Sequence, residues 1–370
     1  MARRTFFIAT SWNNSVISLH FQALARTLAA RGHRVVVLVD KQKREVVDEH
    51  ANPAVVTWPS PRPTGARDAA FLARLVRKER PDYVIANFGA GNMMMSVGAL
   101  LRVPHRLLWY RTLSDQIELD WAQSKLRMKL LRARKSLVYA AATHVVANSQ
   151  AAADDVQKVF HVAPRKCRVF LNSLVDPPTP APYAEGTRRL VCVGRLAQSK
   201  GQDVLLDALA RLRERFPGLT LDLVGDGPAR ADLERLVRER GLGDAVRFVG
   251  AVSHDEVAGR MAAATVTVVP SLTEAFGLVN IESLAVGTPV VASRVGGISE
   301  VVRDGVDGFL VAPGDAAELA AKLGAILGDP ELRRRMAAAA RQRFLDRFEQ
   351  QRSVAEQADW FESLASPATA

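Results

Sequence analysis

Twice along its length the sequence runs through the same alternation, and that repetition limits the folds open to it more than any other feature. RTFFIAT (4–10) is a β-branched and aromatic run, SLHFQALARTLAARG (18–32) has helical spacing with a glycine stop, and HRVVVLVD (33–40) is a second apolar run. PDYVIAN, HRLLWYR and THVVANS continue the series with helical stretches between them. From RRLVCVGR (188–195) the pattern starts again, through QDVLLDALARLRERFPG, LTLDLVGDG, ADLERLVRERG, AVRFVG, HDEVAGRMAAA, TVTVVPS, NIESLAVG and PVVAS. Strands separated by helices cannot form hairpins; they pair in parallel through crossovers, with helices covering both sheet faces. Two such series predict two doubly wound α/β domains, and 370 residues is too long for one ordinary core. SLVDPPTPAPYAEGTRR (173–189) is proline-rich, polar and aperiodic, as a linker is. The expected boundaries are a first domain over 1–175, a linker over 176–188 and a second domain over 189–346, with one more amphipathic helix after the last strand.

In such sheets ligands bind outside the carboxyl ends of the strands, and two domains of this kind leave a cleft between them. VCVGRLAQSKGQD sets Gly194 and Arg195 directly after a strand, with Lys200 and Gly201 just before a helix. Glycine lets a ligand approach the backbone, and the two cations are placed to clamp a diphosphate. Two basic loop residues in an arginine-rich chain are also open to a plainer reading as solvated charges. Gly225 and Gly227 in LVGDGPAR form a second glycine turn, which alone is equally an ordinary tight turn. SLTEAFGLVNIESLAVGTPVV (271–291) puts Glu274 and Phe276, both candidate substrate contacts, before Gly277, with Glu282 eight residues beyond Glu274. A helix starting near Gly277 would present the N–H groups of Gly277, Leu278 and Val279 to a phosphate, aided by the helix dipole. Glu282, about 6–8 Å further along the axis, is spaced for the two hydroxyls of a ribose. Glu274, on the other side of the glycine, is placed for hydroxyls of a second sugar. Taken singly, each glutamate is equally a cap-region charge or a solvated helix residue.

VGRLAQSKG, LVGDGP, RFVGAV, VVPSLTEAFGLVNIESLAVGTPVVAS and VGGISEVV, in this order and spacing over 186–345, resemble family 4 of the retaining glycosyltransferases. The resemblance implies the GT-B fold, two Rossmann-like doubly wound parallel-sheet domains facing a central cleft. It implies transfer of a sugar from a nucleotide-diphosphate donor, such as a UDP-, GDP- or ADP-sugar, to a hydroxyl acceptor with retention at the anomeric carbon. The positions of Arg195 and Lys200 would bind the donor diphosphate, Glu274 the donor sugar and Glu282 the ribose. Gly250, Ala251 and Val252 would lie against the base, and Gly296 and Gly297 would line the cleft. The final helix, 347–366, would cross back onto the first domain. Preformed cations stabilise the charge that builds on the leaving phosphate, so no metal or other cofactor is expected. The sequence also has no D-x-D pair of the metal-dependent kind.

The first domain departs from that pattern. Where the family carries a glycine pair after the first strand, this chain reads TSWNNSVIS. Asn13, Asn14 and Ser15 either meet a phosphate or acceptor, or form a turn and helix cap. The histidine usual at the end of the HRLLWYR strand is absent, and Arg111 is the candidate to replace it. His105 falls at the opposite end of that strand, and His144 reads as structural. A catalytically silent nucleotide-sugar-binding protein, or an epimerase or hydrolase of the same fold, therefore stands beside the transferase reading.

The formal charge of +11 favours anionic partners, yet no nucleic-acid-binding signature is present. SKLRMKLLRARKS (124–136) is basic and amphipathic. Either it lies on an anionic membrane, suiting a lipid-linked acceptor, or its leucines enter the core. Cys167 and Cys192 form no CxxC pair, and no apolar run reaches the roughly 18 residues of a membrane span. The expected setting is cytoplasmic, with the inner face of the membrane added if the basic helix binds there.

Overall fold

The computed structural model describes residues 3–40, 51–120, 125–178 and 188–365. Residues 179–187 of the expected linker and Ser124 of the basic segment lie outside them. The chain divides into two compact units: Met1–Arg111, Gln123–Ser173 and Gln350–Ala370 form the first, and Thr112–Ala122 with Leu174–Glu349 the second.

The first unit is built on seven strands: β1 (Thr5–Thr10), β2 (Arg34–Val39), β3 (Ala54–Thr57), β4 (Tyr83–Ala86), β5 (His105–Tyr110), β6 (His144–Ala147) and β7 (Cys167–Val169). All pairings are parallel, in the order β3-β2-β1-β4-β5-β6-β7. Helices on both faces explain why β1 can bury Phe6, Phe7 and Ile8 in succession, with none of the usual in-out alternation. The strand order reverses between β1 and β4, which makes their carboxyl ends the ligand crevice of such a sheet. The helix Gln350–Ser363 belongs to this unit, with Val354, Ala358 and Phe361 in the same apolar cluster as Phe6, Phe21 and Leu24. Burying Phe361 contributes about 2 kcal/mol. The helix end is fixed by Arg4 Nη1 donating to the Phe361 and Leu364 carbonyls at 3.0 and 3.1 Å, and by Tyr83 Oη donating to the former at 2.6 Å.

The second unit has six parallel strands: β8 (Arg189–Val193), β9 (Thr220–Val224), β10 (Val246–Gly250), β11 (Val266–Val269), β12 (Val290–Ser293) and β13 (Gly308–Val311). Their order, β10-β9-β8-β11-β12-β13, reverses between β8 and β11. Leucines of the helix Gln202–Leu212 and of the helix Ala316–Gly328 cover one face, and Val257, Met261 and Val224 mark the packing on the other.

Two placements bear on the sequence reading. Thr112–Ala122, expected inside a domain spanning 1–175, belongs to the second unit, where the helix Ser114–Asp120 packs against the Gln198–Lys200 turn. The leucines of the basic helix, Lys125–Ala141, do not all enter a core: Leu126, Leu130 and Leu137 are 69%, 64% and 74% exposed. Among the described residues no helix is long and apolar enough to cross a membrane.

Candidate functional site

Two strand-end loops meet at the β8/β11 reversal of the second unit. After β8 the chain turns through Gly194 (φ +147°), Arg195 and a single 3-10 turn over Gln198–Lys200, then enters a helix through Gly201 (φ +62°). A Cβ on Gly201 would sit 2.2 Å from the Pro270 carbonyl oxygen, so only glycine lets the two loops touch. Leu272 N donates to Ser199 O at 2.8 Å across the same contact. The second glycine turn has the same explanation. A Cβ on Gly225 would lie 2.1 Å from Gly194 O, and one on Gly227 2.3 Å from Leu196 O. These turns stack backbone on backbone and hold the Arg195 loop in place.

That lacing brings Lys200 and Glu274 together. Lys200 Nζ lies 2.5 Å from Glu274 Oε2, and the two side chains are only 19% and 14% exposed. Gly296 and Gly297 fold back on the glutamate from the other side. Gly297 N donates to Glu274 O at 3.2 Å, and a Cβ on Gly296 would collide with that carbonyl. Arg195 is more open, and its guanidinium is paired with Asp120, whose other oxygen accepts from Ser199 N at 3.2 Å. The site thus carries two cations, each held by a carboxylate. An anionic ligand on Arg195 competes with Asp120 for it.

The helix expected after Gly277 spans Leu278–Ala285, with Gly277 (φ +81°) as its cap and therefore no side-chain cap bond. Leu278 and Val279 are half-buried. Asn280 Nδ2 donates to Gly277 O at 3.1 Å and fixes the turn. The positive end of this helix lies just past Glu274, a site suited to phosphate. Phe276 is a correction: its side chain is buried against Phe348, ring centroids 6.2 Å apart, so it can offer a ligand its backbone alone. The Glu282 side chain is 14% exposed, 3.8 Å from His254 Nδ1. Burial pushes its carboxyl above the ordinary range, and His254 partly opposes the shift. Val252, just after β10, is half-buried among Val191, Val224 and Val257.

In the first unit, Arg111 follows β5 and is turned inward. Its Nε donates to Asn87 Oδ1 at 3.1 Å, its Nη1 to Asn172 Oδ1, and its guanidinium carbon lies 5.6 Å from the Phe21 ring centroid. Burial lowers its pKa to about 9. His20 is buried nearby with Nδ1 3.0 Å from Ser173 Oγ and Nε2 3.0 Å from Gln357 Oε1. Burial first, and Arg111 second, push it down to about 4, which keeps it neutral. The TSWNNS turn satisfies itself: Asn13 Oδ1 accepts from Ser15 N at 3.0 Å, and Ser15 caps the helix Val16–Ala30. Asn14 is exposed and makes none of these bonds. His105 lies at the amino end of β5, stacked on Tyr83.

Asp120, His254, Asn87 and Asn172 escaped the sequence reading. Asp120 lies 75 residues from Arg195, and no local pattern links them. Asn87 stands directly beyond the β4 run, which is a signal that could have found it, whereas Asn172 lies three residues past the short β7 and has no such signal.

Two family models match the chain: glycosyl transferases group 1 over residues 180–343, and glycosyltransferase family 4 over residues 17–174. A glycogen synthase of Mycobacterium tuberculosis is 42% identical over 166 residues, 45% of this chain and 40% of that enzyme. A sucrose-phosphate synthase of Thermosynechococcus elongatus superposes with a TM-score of 0.80 at 24% identity, over 97% of this chain and 98% of that one. Anabaena Alr3699/HepE, solved with UDP-glucose, gives 0.77 at 21% identity over 98% and 100%. The chain spans about two fifths of the length of the glycogen synthase it matches. The structural likenesses show the GT-B fold.

Proposed function

Because this chain belongs to the group 1 and family 4 glycosyltransferases, matched over both its halves, we propose that it moves a sugar from a nucleotide diphosphate to a hydroxyl acceptor with retention at the anomeric carbon. The observation that carries this reading is the Lys200–Glu274 pair at 2.5 Å beside a helix N-terminus whose glycine cap brings no side chain, with Arg195 in the adjoining loop. Lys200, Arg195 and the amides of Leu278 and Val279 hold the diphosphate. Glu274 accepts from donor-sugar hydroxyls, Glu282 from the ribose, and Val252 lies against the base.

The bond between the anomeric carbon and the β-phosphate oxygen breaks as that oxygen gains charge. Fixed cations and amides stabilise it most at this point, which lowers the barrier without a metal ion. The acceptor oxygen bonds to the anomeric carbon on the face the phosphate leaves, and its proton passes to the departing phosphate oxygen. No protein nucleophile is needed. UDP-glucose is the first donor to try, since a protein of this fold, HepE, was solved with it.

The basic helix Lys125–Ala141, with three exposed leucines beside Arg127, Lys129 and Arg134, suits an anionic bilayer and supports a peripheral position at the inner membrane face as part of this reading. A panel of nucleotide sugars, with and without acceptors, tests the assignment by release of nucleoside diphosphate. Release that requires acceptor, with an α-linked product from an α-linked donor, is expected. Release without acceptor indicates a hydrolase, and binding without release a silent binding protein.

A further inference from the structure

At the amino edge of the first sheet, just before β4 and β5, three arginines line one groove. Arg77, Arg80 and Arg102 surround a cavity of about 440 Å³, floored by the buried Val76 and Val103. That is within the roughly 300–1,000 Å³ of small-molecule sites. The one carboxylate in the lining, Asp82, is engaged, its Oδ2 accepting from Thr5 N at 2.7 Å. Among the described residues the three guanidiniums make no hydrogen bond or ion pair. Exposed arginines elsewhere find carboxylates, as Arg213 does in Asp244 and Arg294 in Asp304.

The backbone sets two of these arginines further apart. The helix Ala66–Glu79 ends on Arg80 (φ +47°), and the helix Gly91–Leu100 is followed by Leu101 and then Arg102 (φ +55°). Both lie in the left-handed region, where a Cβ is strained and glycine is not. The helices Val16–Ala30, Arg230–Glu239 and Leu278–Ala285 close through left-handed Gly32, Gly241 and Gly287. Among the described residues, the other non-glycine residue with such a backbone is His161. Cations favour a helix C-terminus, which accounts for arginine near these ends but not for arginine in the strained position itself. Nor do the side chains close the helices. Arg80 N donates to Val76 O at 2.9 Å, Arg102 N to Ala99 O at 3.1 Å, and Val103 N to Gly98 O at 2.8 Å. Strain of this kind persists where a site uses it.

We infer that this groove binds the phosphate group of a ligand other than the sugar donor, with the three guanidiniums as its partners. A phosphate ester has the charge and the oxygens to take up several guanidinium forks at once, and the apolar floor accepts its carbon skeleton. Ligands of the sheet itself bind at the opposite, carboxyl ends of the strands, and the diphosphate place proposed above is in the second unit. The groove therefore stands independently of the transferase reading. The ester comes from a soluble phosphorylated metabolite or from a lipid head group. Leu100, 80% exposed two residues before Arg102, gives the second source an apolar neighbour.

The test uses the full chain, with glycerol phosphate as the probe and Arg80→Gly/Arg102→Gly as the principal variant. Glycine relieves the left-handed backbone, so without ligand this variant melts at or above the wild-type temperature. Glycerol phosphate raises the melting temperature of the wild type, whereas glycerol with sodium chloride at matched ionic strength does not. The Kd of the probe, read by calorimetry, rises about tenfold for each arginine removed and about a hundredfold in the double variant. Arg77→Gln weakens binding by a similar step. Arg195→Ala, which alters the donor site, keeps the shift. Flotation with mixed phosphatidylglycerol and phosphatidylcholine vesicles assigns the source. Flotation lost in the double variant identifies a lipid head group; flotation kept, beside a lost calorimetric signal, identifies a soluble ester. The proposal is overturned if the probe does not shift the wild type, if the shift survives in the double variant, or if Arg195→Ala abolishes it. A double variant that melts below the wild type without ligand also overturns it, by making the two side chains structural helix ends. None of these readouts needs turnover, so absence of transfer leaves the groove standing, and failure of the groove leaves the transferase reading standing.

Discussion

Replacing Lys200 with alanine should damage stability and turnover by different routes, and a double-mutant cycle with Glu274 separates them. The two charges lie 2.5 Å apart with 19% and 14% of their side chains exposed. At an effective dielectric near 20, unit charges about 4 Å apart attract by roughly 4 kcal/mol. Desolvation and the remaining solvent contact cancel much of that, leaving a coupling of about 1–2 kcal/mol. Lys200→Ala alone strands a carboxylate in a poorly hydrated loop and should cost about 2–3 kcal/mol. Glu274→Ala strands the ammonium and should cost a similar amount, yet the pair of substitutions together should cost less than the sum. Turnover behaves otherwise. Removing a leaving-group cation costs about 100–1,000-fold in kcat, and deleting Glu274 as well cannot restore it, because the phosphate still lacks its partner. Denaturant unfolding without donor gives the first quantity, and diphosphate release under saturating donor gives the second. Additive stabilities, or a kcat recovered in the double variant, would refute the reasoning.

Glu282→Gln should behave as a site residue held at a cost to the fold. Its folded-state pKa is raised by burial, so the native protein holds that proton more tightly than the unfolded chain. Stability therefore falls as pH rises from the unfolded pKa through the raised folded one. The variant should be more stable than wild type at neutral pH, and the difference should vanish below about pH 4. Its donor affinity should drop at the same time, and calorimetry at two pH values checks both. Gly225→Ala puts a Cβ 2.1 Å from Gly194 O at a φ of +130°. It should cost about 2–3 kcal/mol and lower donor affinity through the displaced Arg195 loop, read by unfolding and nucleotide titration. A Leu126→Glu/Leu130→Glu variant should lose flotation with anionic vesicles while its soluble-donor turnover stays intact; unchanged flotation would clear the helix of a membrane role.

The two parallel sheets were legible because their central strands are buried on both faces and so read as unbroken apolar runs. FFIA of β1 and VCV of β8 are examples. Three strands escaped, and all three lie at sheet edges: β3, β7 and β13. An edge strand needs only one neighbour and is short. Cys167–Val169 has three residues, and Gly308–Val311 begins on a glycine. Lys200 and Glu274 stood out because each is tied to a glycine whose missing Cβ is itself a local signal. Asp120 could not be read that way, since its pairing with Arg195 depends on a chain segment leaving its sequence neighbours for the other unit. The inward turn of Arg111 was equally hidden. Its fate is set by Asn87 and Asn172, each displaced from it by dozens of residues. Phe276 shows the opposite error, a residue beside the site whose side chain serves packing.

The most direct measurement is a crystal structure of the chain with the nucleoside diphosphate of its preferred donor bound. The diphosphate oxygens should lie within about 3.2 Å of the Arg195 guanidinium, Lys200 Nζ and the amides of Leu278 and Val279, with both ribose hydroxyls on Glu282. A diphosphate bound anywhere else, while Arg195 stays on Asp120 and Lys200 on Glu274, would contradict the account.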